Sequence, residues 1–276
     1  MMQVIDLCQG GVERAIGAWT VDDEIIVDPG PEATAERVLE AFADRRPRAI
    51  ALTHIHLDHA GATGTLVERW PGCEVWVHER GAPHLLAPER LLSSAARVYG
   101  DRLGALFGGS RSVPADAIRV VGQGDRVGPF EVIDAPGHAR HHVMYLHTAT
   151  GTAFTGDVAG VRVPPSPLVL APTVAPEFDP DAWHHSIRRL SECRPTRLAL
   201  THYGAHDDVE RHLAAAAESV TRWAELGRGL GHEDFTRMMH RAIEEAADGP
   251  TAEAYVTAIQ PAVLWPGVRR YWDRRA

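Results

Sequence analysis

Within residues 52–61, LTHIHLDHAG, three histidines and an aspartate fall in six positions: His54, His56, Asp58 and His59. His54 and His56 lie two apart, so in extended chain they point the same way, and Asp58 follows at the same interval. His59 adds a fourth polar group displaced around the backbone. Three neutral imidazoles and a carboxylate this close are costly to bury without partners. A divalent metal ion removes that cost, because imidazole nitrogen and carboxylate oxygen are good ligands for zinc and similar ions. The bland alternative is a solvated loop rich in histidine, and three further motifs weigh against it. APGHARHH sets His138 after a strand and a Pro-Gly turn. FTGDVAG sets Asp157 after the next hairpin strand, and LTHYG sets His202 at the end of the last strand. Each is a ligand-type residue at a strand end, where such a site would be assembled.

Composition narrows the remaining chemistry. The chain contains neither lysine nor asparagine, which excludes a P-loop lysine, a Schiff-base lysine and an oxyanion-hole asparagine. It has no G-x-S-x-G elbow. The glycines of GQGDRVG are spaced wrongly for a dinucleotide fingerprint and read as part of a hairpin. A formal charge of −9 argues against nonspecific nucleic-acid binding, which depends on a basic surface. No apolar run approaches a membrane span, and the first residues lack a basic start followed by an apolar stretch, so no signal peptide is expected. Cys8, Cys73 and Cys193 are far apart and odd in number, so a disulfide framework is not expected and a cytoplasmic location fits.

The elements that must position these residues follow from periodicity. AIGAWTV-DD-EIIVDPG reads as a hairpin. ATAERVLEAFADRR reads as a helix with Val38, Leu39 and Phe42 on one face. RAIALT is a buried strand leading into the histidines. ATGTLVERW predicts a helix, CEVWVH a strand, and residues 79–116 an interrupted helical insertion near a site. Strands resume with AIRVVGQG, PFEVIDAPGH and VMYLH-TATG-TAFTGD. Residues 160–180 carry six prolines and little charge and read as a long ordered loop. A helix at DAWHHSIRRLSECR and a strand at RLALTH complete an α/β unit over 1–206 with sheets inside and helices outside. From 207 to 276 the chain reads as a helical extension with Val209, Leu213, Ala217, Val220, Ala224 and Leu230 on an apolar face. AIALTH and RLALTH form an internal echo, each ending a strand in Leu-Thr-His. His184, His185, His212 and His240 read as surface residues of helices.

H-x-H-x-D-H followed by PGH, GD and a late histidine resembles the metallo-β-lactamase superfamily over roughly residues 1–206. Its site pattern is nearest to glyoxalase II and lactonase-like members. The resemblance implies a four-layer αββα sandwich, an α/β fold with the site along one edge of the paired sheets, here carrying a C-terminal helical appendage. It implies that His54, His56 and His138 hold one metal, that Asp58, His59 and His202 hold a second, and that Asp157 bridges them. Asp28 and His142 match supporting positions, and His141 reads as a bystander. The implied cofactors are two divalent ions, zinc first, with iron or manganese as alternatives. Two such ions about 3.5–4 Å apart can share a water and lower its pKa toward ~7, giving hydroxide for attack on a carbonyl or phosphoryl centre. Asp58 is placed to orient that nucleophile and take its proton.

The expected activity is hydrolysis of a small or medium organic ester, lactone or thioester. A true β-lactamase is disfavoured, since those enzymes generally lack an aspartate like Asp157. The acidic charge speaks against a ribonuclease Z-like activity. Glyoxalase II-like enzymes usually bind glutathione with basic residues, lysine among them, whereas the helical tail offers only arginines. Lactonases typically place a tyrosine shortly after the bridging aspartate, where Gly160 lies here. Arg162, Leu168 and Tyr203, with Val169, Leu170, Trp183, Leu85 and Leu86, are the candidate pocket residues, and Arg162 could meet an anionic group. Partners are expected to be a small-molecule substrate and a second copy in a homodimer, with neither nucleic acid nor membrane. Two rivals remain: a mono-iron persulfide dioxygenase using His54, His138 and Asp157, and a noncatalytic metal-binding scaffold.

Overall fold

The computed structural model describes residues 1–43 and 45–275. Two six-stranded sheets carry the fold. The first runs in chain order, β1 (Met2–Asp6), β2 (Gly17–Val21), β3 (Ile25–Val27), β4 (Ala49–Ala51), β5 (Glu74–His78) and β6 (Ile118–Val121), with β3 to β6 parallel. The second, ordered β12-β11-β10-β9-β8-β7, contains β7 (Arg126–Val127), β8 (Phe130–Asp134), β9 (Val143–His147), β10 (Thr152–Phe154), β11 (Arg197–Leu200) and β12 (Gly204–His206). Its central pairs are antiparallel except β10–β11, which are parallel.

Alternation of side chains across each strand separates three apolar layers. Between the sheets lie Val27, Ala49, Ala51 and Trp76 from the first and Phe130, Val132, Tyr145 and Phe154 from the second. On the outer face of the first sheet, Ile26, Ile50 and Val75 meet α1 (Ala35–Phe42) through Val38 and Phe42. Behind α2 (Leu57–Ala60), α3 (Thr63–Arg69) adds Leu66 and Val67 to the same layer. On the outer face of the second sheet, Ile133, Met144 and Leu198 meet α7 (Pro180–Glu192) through Trp183, Ile187 and Leu190. Helix on sheet, sheet on sheet and sheet on helix make the four-layer αββα sandwich, because strands apolar on both faces need cover on both.

The insertion folds as α4 (Ala82–Leu86), α5 (Glu89–Tyr99) and α6 (Leu103–Phe107). The chain then ends in α8 (Val209–Gly229), α9 (His232–Ala246), α10 (Gly249–Ile259) and α11 (Trp265–Asp273). These helices do not form a core of their own: Trp223, Phe235, Tyr255 and Leu264 share one apolar cluster with Val161, Leu170 and the second sheet. The Tyr255 hydroxyl donates to the Leu168 carbonyl at 2.6 Å and accepts from the Val163 amide at 3.0 Å, tying α10 to the proline-rich loop.

GQGDRVG is part of a hairpin, as its sequence reads: it leaves β6, forms β7 at Arg126–Val127 and gives Gly128 to the tight turn with Pro129 before β8. Two expectations change here. The buried face of α8 is Leu213, Ala216, Val220, Trp223 and Ala224, so Ala216 and Trp223 replace Ala217 and Leu230 at its centre. His212 also faces inward, 1% exposed, whereas His185 is exposed and His184 and His240 are half-buried.

Candidate metal centre

The residues with ligand chemistry gather at one edge, after the C-terminal ends of strands from both sheets. β3 delivers Asp28, β4 delivers His54 and His56, the β8–β9 loop delivers His138, β10 delivers Asp157 and β11 delivers His202. The extended chain ends sooner than the alternating spacing suggests: His56 is still extended, and the helical turn of α2 begins at Leu57. Asp58 therefore does not continue the row of His54 and His56. The turn swings Asp58 and His59 together toward His202. Gly137, at φ 137°, has the conformation the turn before His138 requires. A Cβ there would lie 2.3 Å from the Trp183 Cα, so only glycine lets α7 pack this closely behind the turn.

Donor atoms of His54, His56 and His138 form one group within 4.8 Å of one another, and those of Asp58, His59 and His202 form another. Asp157 spans the two. Its Oδ1 lies 3.1 Å from His59 Nε2 and 3.5 Å from His202 Nε2, and its Oδ2 lies 3.2 Å from His138 Nε2. Asp58 Oδ2 lies 3.6 Å from His202 Nε2.

The outward nitrogens fix what the inward ones can do. His138 Nδ1 donates to the Pro172 carbonyl at 2.8 Å, His202 Nδ1 to the Ala15 carbonyl at 2.9 Å, and His59 Nδ1 to the Asp28 carboxylate at 2.8 Å. Thr53 Oγ1 spends its hydrogen on Asp28, so it accepts from His54 Nδ1 at 3.1 Å. In each neutral ring the Nε2 is then a bare lone pair. As neutral rings, His59 and His202 would set Nε2 against Nε2 at 3.2 Å with neither able to donate to the other. His56 Nδ1 stands 3.0 Å from His54 Nε2 and 2.9 Å from His138 Nε2, and could satisfy at most one of them. Asp157 Oδ1 is buried without a hydrogen-bond donor. Converging lone pairs and an orphaned carboxylate oxygen fit divalent cations, and the outward hydrogen bonds supply the orientation a metal-binding imidazole needs.

The electrostatics agree. Burial, then the neighbouring imidazoles, hold His54 well below its ordinary pKa, and burial takes His138 to about 4. Burial pushes Asp58 upward, but His59 and His202 together outweigh it and hold the carboxyl at about 2. Asp157 is likewise driven up by burial, yet His59, His138 and His202 bring it well below the usual carboxylate range. Burial disfavours a charged His59, but Asp157, Asp58 and Asp28 raise it well above normal. Carboxylates at this end demand positive charge.

Asp28 is fully buried and takes four hydrogen bonds: the Thr53 amide at 2.8 Å, Thr53 Oγ1 at 2.7 Å, Thr201 Oγ1 at 2.8 Å and His59 Nδ1. The Leu-Thr-His echo thus has a structural meaning, since both threonines converge on one carboxylate. His142 Nε2 accepts the Asp157 amide at 3.1 Å, and its ring stacks on His54 at 4.7 Å.

A cavity of about 210 Å³ opens over the cluster, with His56, Asp58, His138 and Asp157 at its floor. Its walls come from α5, from Phe107, from the segment Pro172–Glu177, and from Ala258–Gln260 at the end of α10. Arg162, Leu168 and Tyr203 do not line it. The Arg162 guanidinium is held by Asp208 at 2.8 Å and by His212 Nδ1 at 3.3 Å, so it meets an internal carboxylate and no open pocket. Leu168 packs toward Tyr255, and the Tyr203 ring lies against Gly17. Trp183 is beneath the floor, edge-on to His138 at 5.5 Å. His141 is no bystander: it lines the cavity, 3.8 Å from Glu177. Sequence reasoning missed Tyr99, His141 and Gln260. Residues 79–116 read only as an interrupted helical insertion near a site, and nothing in that pattern named the side chains that line the cavity.

An αββα sandwich with two histidine-rich groups joined by one aspartate at a sheet edge is a metal-binding fold. The chain belongs to the metallo-beta-lactamase superfamily, whose family model matches residues 18–202. It is similar to a hydroxyacylglutathione hydrolase of Xanthomonas euvesicatoria, 34% identical over 140 residues, covering 48% of this chain and 40% of that protein. It is also similar to the metallo-beta-lactamase fold-containing protein ST1585 of Sulfurisphaera tokodaii, 30% identical over 173 residues, covering 59% of this chain and 64% of that one. The aligned regions thus span less than two thirds of these relatives' length. The crystal structure of ST1585 superimposes with a TM-score of 0.71 at 23% identity, over 97% of this chain and 98% of that one. The structure of TTHA1623 in a di-iron-bound form gives 0.52 at 25% identity, over 79% and 92%. Among the described residues no helix is long and apolar enough to cross a membrane.

Proposed function

We propose that this protein is a hydrolase of small or medium acyl compounds, thioesters, esters or lactones, working with two divalent ions, zinc foremost. The observation that carries the reading is the set of inward Nε2 atoms of His54, His59, His138 and His202, each ring oriented by an outward hydrogen bond at Nδ1. In this reading His54, His56 and His138 would hold one ion and Asp58, His59 and His202 the other, with Asp157 available to both. Bound divalent ions supply a nucleophile from water at neutral pH and polarise the acyl carbonyl.

The chain's own residues do the rest. Asp58, ionised and exposed to the cavity, accepts a proton as water adds to the acyl carbon. The carbon–oxygen or carbon–sulfur bond then breaks, and the departing alkoxide or thiolate takes up the proton that Asp58 received, leaving acid and alcohol or thiol. Leu91, Ala95, Pro172, Val174 and Ile259 offer apolar cover for the acyl chain. The hydroxyacylglutathione hydrolases among the relatives make thioesters the first class to assay.

The test is elemental analysis of protein purified without added metal or chelator, joined to a panel of thioesters, esters and lactones. Two ions per chain and turnover that chelator removes are expected. One iron per chain with oxygen consumption on persulfides would replace this reading with the dioxygenase.

A further inference from the structure

The cavity wall contributed by α5 is mostly apolar. Leu91, Ala95 and Tyr99 are spaced four apart, so they form one stripe of the helix, with Ser94 and Val98 beside it. Tyr99 closes this stripe at the end nearest α6. Its ring is pinned edge-on by Phe107, with centroids 4.8 Å apart, and it is half-buried in the wall. No hydrogen bond to its hydroxyl occurs among the described residues, although the cavity it lines has Asp58 and Asp157 in its floor. A phenol packed on Phe107 in the wall of this cavity, with no protein partner for its hydroxyl among the described residues, is a donor available to a ligand.

We propose that Tyr99 is a substrate-binding residue, whose hydroxyl donates a hydrogen bond to the carbonyl oxygen of an acyl compound seated over Asp58 and Asp157; the inference deepens, and rests on, the acyl-hydrolase reading. The proton stays on Tyr99 throughout. Burial, reinforced by Asp58 and Asp157, pushes the phenol above its ordinary pKa and keeps it a donor. A donor made rigid before binding costs little ordering when the ligand arrives. It would also discriminate against compounds that offer no acceptor at that point.

The test uses the full-length, metal-loaded chain and Tyr99→Phe, which keeps the ring and its contact with Phe107. Calorimetric titration with hexanoate, an acyl carboxylate of the product class, reads binding independently of turnover. Metal per chain is measured on both proteins. The expected result is equal metal content with hexanoate bound about tenfold more weakly by Tyr99→Phe, the scale of one hydrogen bond. Equal affinity in the two proteins would overturn the proposal, as would no hexanoate binding to the wild type. Loss of metal from Tyr99→Phe would overturn it too, since Tyr99 would then act on the metal centre. If hexanoate binding depends on Tyr99 but no acyl substrate is turned over, the hydrolase reading fails while the binding role stands.

Discussion

Asp28 touches no substrate space, yet it sets the orientation of the ligands that do. Its Oδ2 takes hydrogen bonds from Thr53 Oγ1, Thr201 Oγ1 and His59 Nδ1, and a carboxylate oxygen holds several donors more strongly than an amide oxygen does. Replacing Asp28 with asparagine leaves one oxygen for this role or aims an NH2 group at three donors. His59 then keeps only a weaker, uncharged acceptor for its Nδ1 proton in the first case and none in the second. Asp28→Asn should weaken metal binding by about 10–100-fold, the usual scale for an outer-shell partner, read by competition with a chromogenic chelator. Asp157 acts more directly, because each of its oxygens faces a different histidine group. Asp157→Ala should lose at least one metal equivalent per chain by elemental analysis. Retention of two ions would remove its bridging role.

At the scale of elements, most of the centre was legible because ligands sit at strand ends, where short motifs announce them. His54, His138, Asp157 and His202 each follow an apolar strand and need no knowledge of which strands pair. The cavity walls were not legible for the opposite reason. α5 has no fully buried residue, so its pattern is that of a solvent helix, and its place against α4 and α6 in the fold is what sets its stripe along the cavity. His212 shows the same limit. It was read as a surface residue of α8, but its Nε2 donates to the Ala159 carbonyl at 2.8 Å, just beyond Asp157, anchoring the helix to the centre. Burial is the main reason its pKa falls to about 4, with Arg162 and His206 adding to the drop and Asp208 and the Ala159 bond opposing it. A histidine near 6.5 unfolded and near 4 folded binds more protons when unfolded. Its contribution is therefore intact above about pH 6.5 and is lost as pH falls toward 4, a loss of roughly 3 kcal/mol by linkage. Urea unfolding should show that slope, and His212→Gln should be less stable at pH 7 yet lose less on acidification. An unchanged slope would place the acid sensitivity elsewhere.

For the whole molecule, the question is whether the helices after residue 207 are an addition to the sandwich or part of it. The apolar layer outside the second sheet is one continuous cluster, in which Trp183 and Leu190 of α7 sit with Trp223, Phe235, Tyr255 and Leu264 of the last helices. Further hydrogen bonds cross the boundary: Ala171 amide to Ser219 Oγ at 2.9 Å, Thr173 Oγ1 to the Leu264 carbonyl at 3.3 Å, and Tyr271 hydroxyl to Asp181 Oδ2 at 3.0 Å. Gly267 shows how closely the parts approach, since a Cβ there would stand 2.0 Å from the Thr173 carbonyl oxygen. The same segment, Pro172–Glu177, forms a wall of the cavity and supplies the carbonyl that orients His138. Removing the last helices would strip the cover from that segment and expose large apolar side chains to water. Unfolding should therefore be a single cooperative transition, with tryptophan fluorescence and far-UV circular dichroism coinciding in denaturant. A chain ending at residue 208 should fail to fold and bind no metal. Two separated transitions, or a folded metal-binding fragment, would show that the sandwich stands alone and that its cavity wall is borrowed from an independent unit.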